Sequence, residues 1–120
     1  MKYCWTTIYV KDIEESIDFY QELLGLKICN KFNVDKETEI VMLGLENNVI
    51  VELICNKKRY VKSTGISMGF EVDSIDDALA EMIKKGITII CGPFSPTPKS
   101  KFFFIQDPDG VEIQIVQNII

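Results

Sequence analysis

The chain has no histidine among its 120 residues, so no imidazole is available to hold a metal or carry a proton. It also lacks any C-x-x-C pair: Cys4, Cys29, Cys55 and Cys91 are widely spaced, each in or beside an apolar stretch. That spacing argues against a disulfide framework or a thiolate metal site and predicts free thiols buried as small hydrophobes. No apolar run approaches the about 20 residues that span a bilayer, and Met1-Lys2-Tyr3-Cys4-Trp5 leads straight into a strand-like pattern without a signal-peptide core. A cytoplasmic protein with no membrane partner is expected. Dense Lys/Arg clusters are missing too, and the formal charge of −5 argues against a nucleic-acid partner, whose binding depends on neutralising phosphates. The longest basic stretch, Lys57-Lys58-Arg59 followed by Lys62, reads as a solvated connection, with contact to an acidic ligand group as its alternative.

What is present is the composition of an ordinary globular domain, 47% hydrophobic and 26% charged. Residues 3–10 (YCWTTIYV) are rich in β-branched and aromatic types, and apolar positions at 13, 17, 20, 23 and 24 then predict a helix over 13–24. Asp12 with Glu15 forms a candidate capping box, and Gly25 supplies a left-handed stop. Strands are expected at 26–33, 38–45 and 49–55, with turns at Asp35-Lys36 and Asn47-Asn48. The pattern then restarts: a strand at 66–72, a helix capped by Ser74 and ended by Gly86, and strands at 87–91, 101–106 and 111–117. Residues 92–100 (GPFSPTPKS) read as a Pro-rich loop carrying Phe94, either edging a pocket or simply connecting.

The two halves superpose by counting. Val10-Lys11-Asp12-Ile13 falls on Val72-Asp73-Ser74-Ile75, and Val49-Ile50-Val51-Glu52 on Val111-Glu112-Ile113-Gln114, both at an offset of 62 (72 − 10 and 111 − 49). The fold class is therefore α+β: two tandem βαβββ modules forming a curved, cup-like mixed sheet with the helices outside. A single domain of residues 1–120 is expected, with module 1 at about 1–56, a linker at about 57–65 and module 2 at about 66–120.

Strand alternation assigns the faces. Val49, Val51 and Leu53, like Val111, Ile113 and Ile115, belong with the helices, as do Ile8, Val10, Phe70 and Val72. The other face then carries Trp5, Thr7, Tyr9 and Glu52 in module 1, and Ser67, Gly69, Glu71, Glu112 and Gln114 in module 2. This mixture of aromatic, small and hydrogen-bonding groups resembles a pocket wall; a half-exposed face covered by a partner is its plain alternative. Phe102, Phe103 and Phe104 must alternate between faces, and Phe103 is assigned to the ligand.

The run from Val10-Lys11-Asp12-Ile13 to Phe19-Tyr20 and Leu24-Gly25-Leu26 resembles the opening of the glyoxalase/bleomycin-resistance/dioxygenase (vicinal oxygen chelate) superfamily, as Asp107-Pro108-Asp109-Gly110-Val111-Glu112-Ile113 resembles its close. Metal-dependent members hold a divalent ion from four strand positions, and the resemblance places these at Trp5, Glu52, Ser67 and Gln114. Only Glu52 is a good ligand, so no metal and no other cofactor are expected. The resemblance then implies a metal-independent small-molecule binding protein that sequesters a drug or metabolite, planar or cationic, in a pocket commonly shared by a homodimer. Its alternative is a lyase- or isomerase-type enzyme with an altered metal site or with Glu52 as general base.

Overall fold

The computed structural model describes residues 1–118, the last of these by its backbone alone, so the end of the expected second module lies outside the described residues. The chain divides into two compact units, Met1–Ser63 and Thr64–Ile120.

In the first unit, β1 (Thr6–Tyr9) is followed by α1 (Ile13–Asp18) and then by β2 (Lys27–Asn33), β3 (Thr38–Leu45) and β4 (Asn48–Asn56). The sheet order is β1-β4-β3-β2, with β1 parallel to β4 and the other pairs antiparallel. Asp12 caps the helix as its spacing predicts, its Oδ1 accepting from the Glu15 N–H at 3.1 Å. Ile8, Val10, Ile17, Tyr20, Leu26, Val41, Leu43, Val51 and Leu53 are buried and form the core of this unit. Each such side chain contributes roughly 1.5–3 kcal/mol relative to leaving it in water, which is what holds a six-residue helix to its sheet.

The second unit repeats the plan. β5 (Ser67–Glu71) leads to α2 (Ile75–Lys84), then β6 (Cys91–Thr97), β7 (Ser100–Gln106) and β8 (Glu112–Asn118), in the order β5-β8-β7-β6. Ser74 Oγ accepts from the Asp77 N–H at 3.2 Å, and Gly25 and Gly86 end the two helices at the same φ of 74°. The buried set here is Ile75, Met82, Phe103, Ile105, Val111, Ile113 and Ile115. The βαβββ order read from the sequence is the order found, expressed as two four-stranded mixed sheets.

Several boundaries differ from expectation. The first strand starts at Thr6 instead of residue 3, and the first helix widens into a π-turn at Phe19–Leu23, where Tyr20 is fully buried with its ring edge-on to Phe19. The β3–β4 turn is Glu46-Asn47, both at positive φ, one residue earlier than predicted. Residues 87–90 lie outside any strand, and the Pro-rich segment expected to be a loop is instead the edge strand β6. An edge strand needs only one row of backbone partners, so Pro93 and Pro96 are tolerated where a central strand would reject them. The thiols are free, but they are not buried: Cys4, Cys29 and Cys91 are exposed and Cys55 is half-buried.

Candidate functional site

Ladder register decides which side chains share a face, because directly paired residues point the same way. In the first unit Thr7 pairs with Glu52, Glu52 with Met42, and Met42 with Asn30; one step along, Tyr9 pairs with Ile54, Ile54 with Ile40, and Ile40 with Phe32. The face opposite the buried core therefore carries Thr7, Tyr9 and Glu52, as alternation predicts. The Thr7 hydroxyl donates to Glu52 Oε1 at 2.7 Å, fixing a half-buried carboxylate in place and leaving its second oxygen without a partner among the described residues. Trp5 stands one residue before the ladder begins and is 39% exposed. Tyr3, two residues earlier, hydrogen-bonds through its hydroxyl to Thr6.

A further group belongs to this face, and it comes from the basic stretch Lys57-Lys58-Arg59, which the alternation of the strands does not place. Beyond the end of β4 the chain turns back through an isolated bridge between Asn56 and Arg59, with the Arg59 N–H donating to the Asn56 carbonyl at 3.3 Å. That turn lays the Arg59 guanidinium over the Tyr9 ring, 4.8 Å from its centroid. The basic stretch is exposed, as its composition predicts, yet two of its residues have partners: Lys58 pairs with Glu37 at 3.0 Å, and Arg59 packs on an aromatic. The available signal was composition, since Arg59 is the only arginine in the chain.

The second unit uses the same register with different chemistry. Ser67 pairs with Glu112 and Glu112 with Gln106; Gly69 pairs with Gln114 and Gln114 with Phe104; Glu71 pairs with Val116 and Val116 with Phe102. A Cβ added to Gly69 would stand 3.7 Å from Gln114 Oε1, so the amide lies beside the glycine where the first unit has Thr7 beside Glu52. Phe103 is a correction. It pairs with Ile115, is 0% exposed and is core, so it cannot line this face. Its neighbours do: Phe102 lies 5.7 Å from Phe94 and 5.7 Å from Phe104 between ring centroids, the second pair edge-to-face.

The metal positions implied by the resemblance do not fit a metal. The first unit offers Trp5, whose indole is only an N–H donor, and Glu52, already accepting from Thr7; the second offers the neutral Ser67 and Gln114. Catalytic transition-metal sites take about three imidazole, thiolate or carboxylate ligands. Among the described residues no group of three or more Cys, Asp and Glu side chains is arranged to hold an ion, and the chain has no histidine.

Comparison with known proteins agrees with the repeat and its order. A sequence model of the Glyoxalase/Bleomycin resistance protein/Dioxygenase superfamily matches residues 2–115. A protein of Vibrio parahaemolyticus named "Probable lactoylglutathione lyase" is 28% identical, over 94% of this chain and 88% of that one. Among solved structures, the trypanothione-dependent glyoxalase I of Leishmania major is 27% identical with a TM-score of 0.80, covering 98% of this chain and 86% of that one. The Streptomyces antibiotic binding protein TnmS3, 20% identical over 98% of this chain and 97% of that one, has a TM-score of 0.74 and shares the fold. No helix among the described residues is long and apolar enough to cross a membrane.

Proposed function

The chain belongs to the Glyoxalase/Bleomycin resistance protein/Dioxygenase superfamily, and from that membership we propose that it is a lyase- or isomerase-type enzyme acting on a small molecule, with Glu52 as its proton-transferring base. The observation that carries this reading is the Thr7–Glu52 hydrogen bond of 2.7 Å on the open face of the first sheet. It orients one carboxylate oxygen and leaves the other for substrate. Support from relatives is of the same kind, since those at 27–28% identity include proteins named for lactoylglutathione lyase activity.

In this mechanism Glu52 takes a proton from the hydroxyl-bearing carbon beside a carbonyl and returns it to the carbonyl carbon, while the hydroxyl proton passes to the former carbonyl oxygen. The electron pair released by the C–H bond stays in the substrate, the carboxylate is regenerated, and the net change is an isomerisation. Thr7 holds the carboxylate rotamer throughout. No step runs through a metal, because the residues at the implied positions do not fit one. The test is proton exchange and product formation followed by NMR in heavy water, with hydroxyacetone, dihydroxyacetone and the hemithioacetal of methylglyoxal and glutathione. Turnover that survives chelator and falls 10²-fold or more in Glu52→Gln supports the proposal. Stoichiometric nickel, zinc, manganese or iron in protein purified without chelator would overturn the metal-free mechanism, and no exchange with any probe would remove the enzyme reading.

One observation favours a second reading. The Phe94, Phe102 and Phe104 rings on the open face of the second sheet, inclined to one another, offer an apolar aromatic surface suited to a protein that sequesters a planar drug or metabolite. That reading predicts a raised melting temperature with planar compounds in metal-free protein, and no turnover.

A further inference from the structure

The one arginine of a chain with a net charge of −5 sits on the same face as the proposed base, and its partner there is a ring instead of a carboxylate. Among the described residues no acidic group lies within ion-pair distance of Arg59, although four of the lysines pair with Asp or Glu. The Tyr9 ring, 4.8 Å from the guanidinium carbon, is a contact that uses none of the N–H donors in hydrogen bonds, and no acceptor takes them among the described residues. Those donors form a fork that matches a carboxylate or phosphate with two parallel hydrogen bonds. Holding the fork against a half-buried tyrosine also removes part of the rotamer freedom that a free arginine would lose on binding.

The sheet sets how far this group stands from Glu52. Tyr9 is two residues beyond Thr7 on β1, and Ile54 two beyond Glu52 on β4. One side-chain repeat along a strand is roughly 7 Å. We infer that Arg59 is the specificity-determining residue of the site. It recognises the acid group of a small carboxylate or phosphate substrate whose reacting carbon lies on the order of 7 Å away, at Glu52. The inference rests on Glu52 being the base, and it gives the substrate a charge and a length. Tyr9 is a positioning residue: it touches Arg59, not the substrate. Glu52 keeps the anion from binding in the reverse orientation, because an acid group placed there would meet a carboxylate.

The single arginine makes the test direct, since the chain has one Arg Nε–Hε signal and that signal belongs to Arg59. Benzoate and phenyl phosphate are titrated into the ¹⁵N-labelled protein, with benzamide as the neutral counterpart of benzoate. Both anions are expected to move the Arg59 signal saturably, more weakly as salt is raised, and benzamide to leave it unmoved. The two anion arms separate a carboxylate site from a phosphate site by their relative affinities. Arg59→Gln, read from the other shifting amides, is expected to lower anion affinity tenfold or more, and Arg59→Lys several-fold, because the charge stays but the fork is lost. Tyr9→Leu should weaken binding with the charge intact, whereas Glu52→Gln should leave it equal or tighter. Each variant's amide spectrum reports whether it is folded. Benzamide moving the signal as much as benzoate, no shift at tens of millimolar anion, or undiminished affinity in Arg59→Gln would each overturn the inference. Anion binding is read without turnover, so a failure of Glu52 as base is seen separately, in the exchange assay.

Discussion

The two modules share a register and differ in what they place on it. Thr7 pairs with Glu52 in the first, and Gly69 with Gln114, at the repeat-related positions, in the second. The first open face thus has an oriented carboxylate and a guanidinium held over a tyrosine; the second has a neutral amide beside a glycine and three phenylalanines. Backbone pairing is indifferent to these side chains, since the ladder bonds are made by N–H and C=O groups. A duplicated sheet can therefore divide reactive and apolar roles between its copies without changing fold.

The sharpest way to break that comparison is to remove the polar group of each pair. Glu52→Gln keeps shape and removes the proton acceptor, so turnover should fall 10²-fold or more. Gln114→Ala should change it less than tenfold, because an amide cannot act as a base near neutral pH. Steady-state rates on whichever probe of the panel reacts check this. Equal losses from the two variants would mean that the modules contribute symmetrically and that the assignment of chemistry to the first is wrong.

The phenylalanine run gives the next largest effect. Phe103→Ala should cost about 3–5 kcal/mol in urea unfolding, as deletion of a fully buried aromatic does. Phe102→Ala should cost well under half of that, because its side chain is half-exposed beside Phe94. If the two variants were equally destabilised, Phe102 would be core as well, and the aromatic wall of the second face would not exist.

Phe103 also shows how far the sequence could be read. Counting fixed the module order and both Asp12 and Ser74 as caps, because periodicity and cap spacing are local signals. Alternation alone could not say which phenylalanine is core; that follows from where the hairpin closes. Asp107 and Val111 close it, with the Asp107 N–H donating to the Val111 carbonyl at 2.9 Å and Asp107 Oδ1 accepting from the Val111 N–H at 2.8 Å. Counting outward from that pair puts Phe103 on Ile115 and Phe104 on Gln114. The Asp107-Pro108-Asp109-Gly110 turn was recognised, so the register was within reach of the sequence. The basic stretch was legible as a candidate contact to an acidic ligand group, but the place of Arg59 over Tyr9 was not, because it depends on a bridge closing outside the ladders. The edge strand β6 was missed because proline density signals a loop unless the strand is known to be at an edge.

The helix caps are alike in geometry but serve helices of unlike length, six residues for α1 and ten for α2. Asp12→Ala and Ser74→Ala should each cost about 1 kcal/mol. The Asp12 variant should lose slightly more, since its carboxylate also opposes the positive end of the helix dipole. Thermal unfolding of the two variants side by side measures the difference, and a reversed order would mean that α1 is held by packing alone.

The smallest contrast lies at the outer hairpins. In the first module the turn between β2 and β3 is held by Asp35 Oδ1, which accepts from the Glu37 N–H at 2.8 Å. In the second, the turn between β6 and β7 is held by the Thr97 hydroxyl, which accepts from the Lys99 N–H at 3.3 Å. The backbone bond from Glu37 lowers the Asp35 pKa below its usual 3.8. A carboxyl whose folded value is depressed stabilises the native state above the unfolded value and loses that contribution as pH falls through the folded one. Acid should therefore loosen the first hairpin and leave the second unaffected, because a hydroxyl does not titrate. The Glu37 amide proton shift should titrate with a midpoint below 3.8 while that of Lys99 stays flat. A Lys99 shift that followed the same curve would mean that acid acts on the whole fold, and the difference between the two turns would carry no weight in its stability.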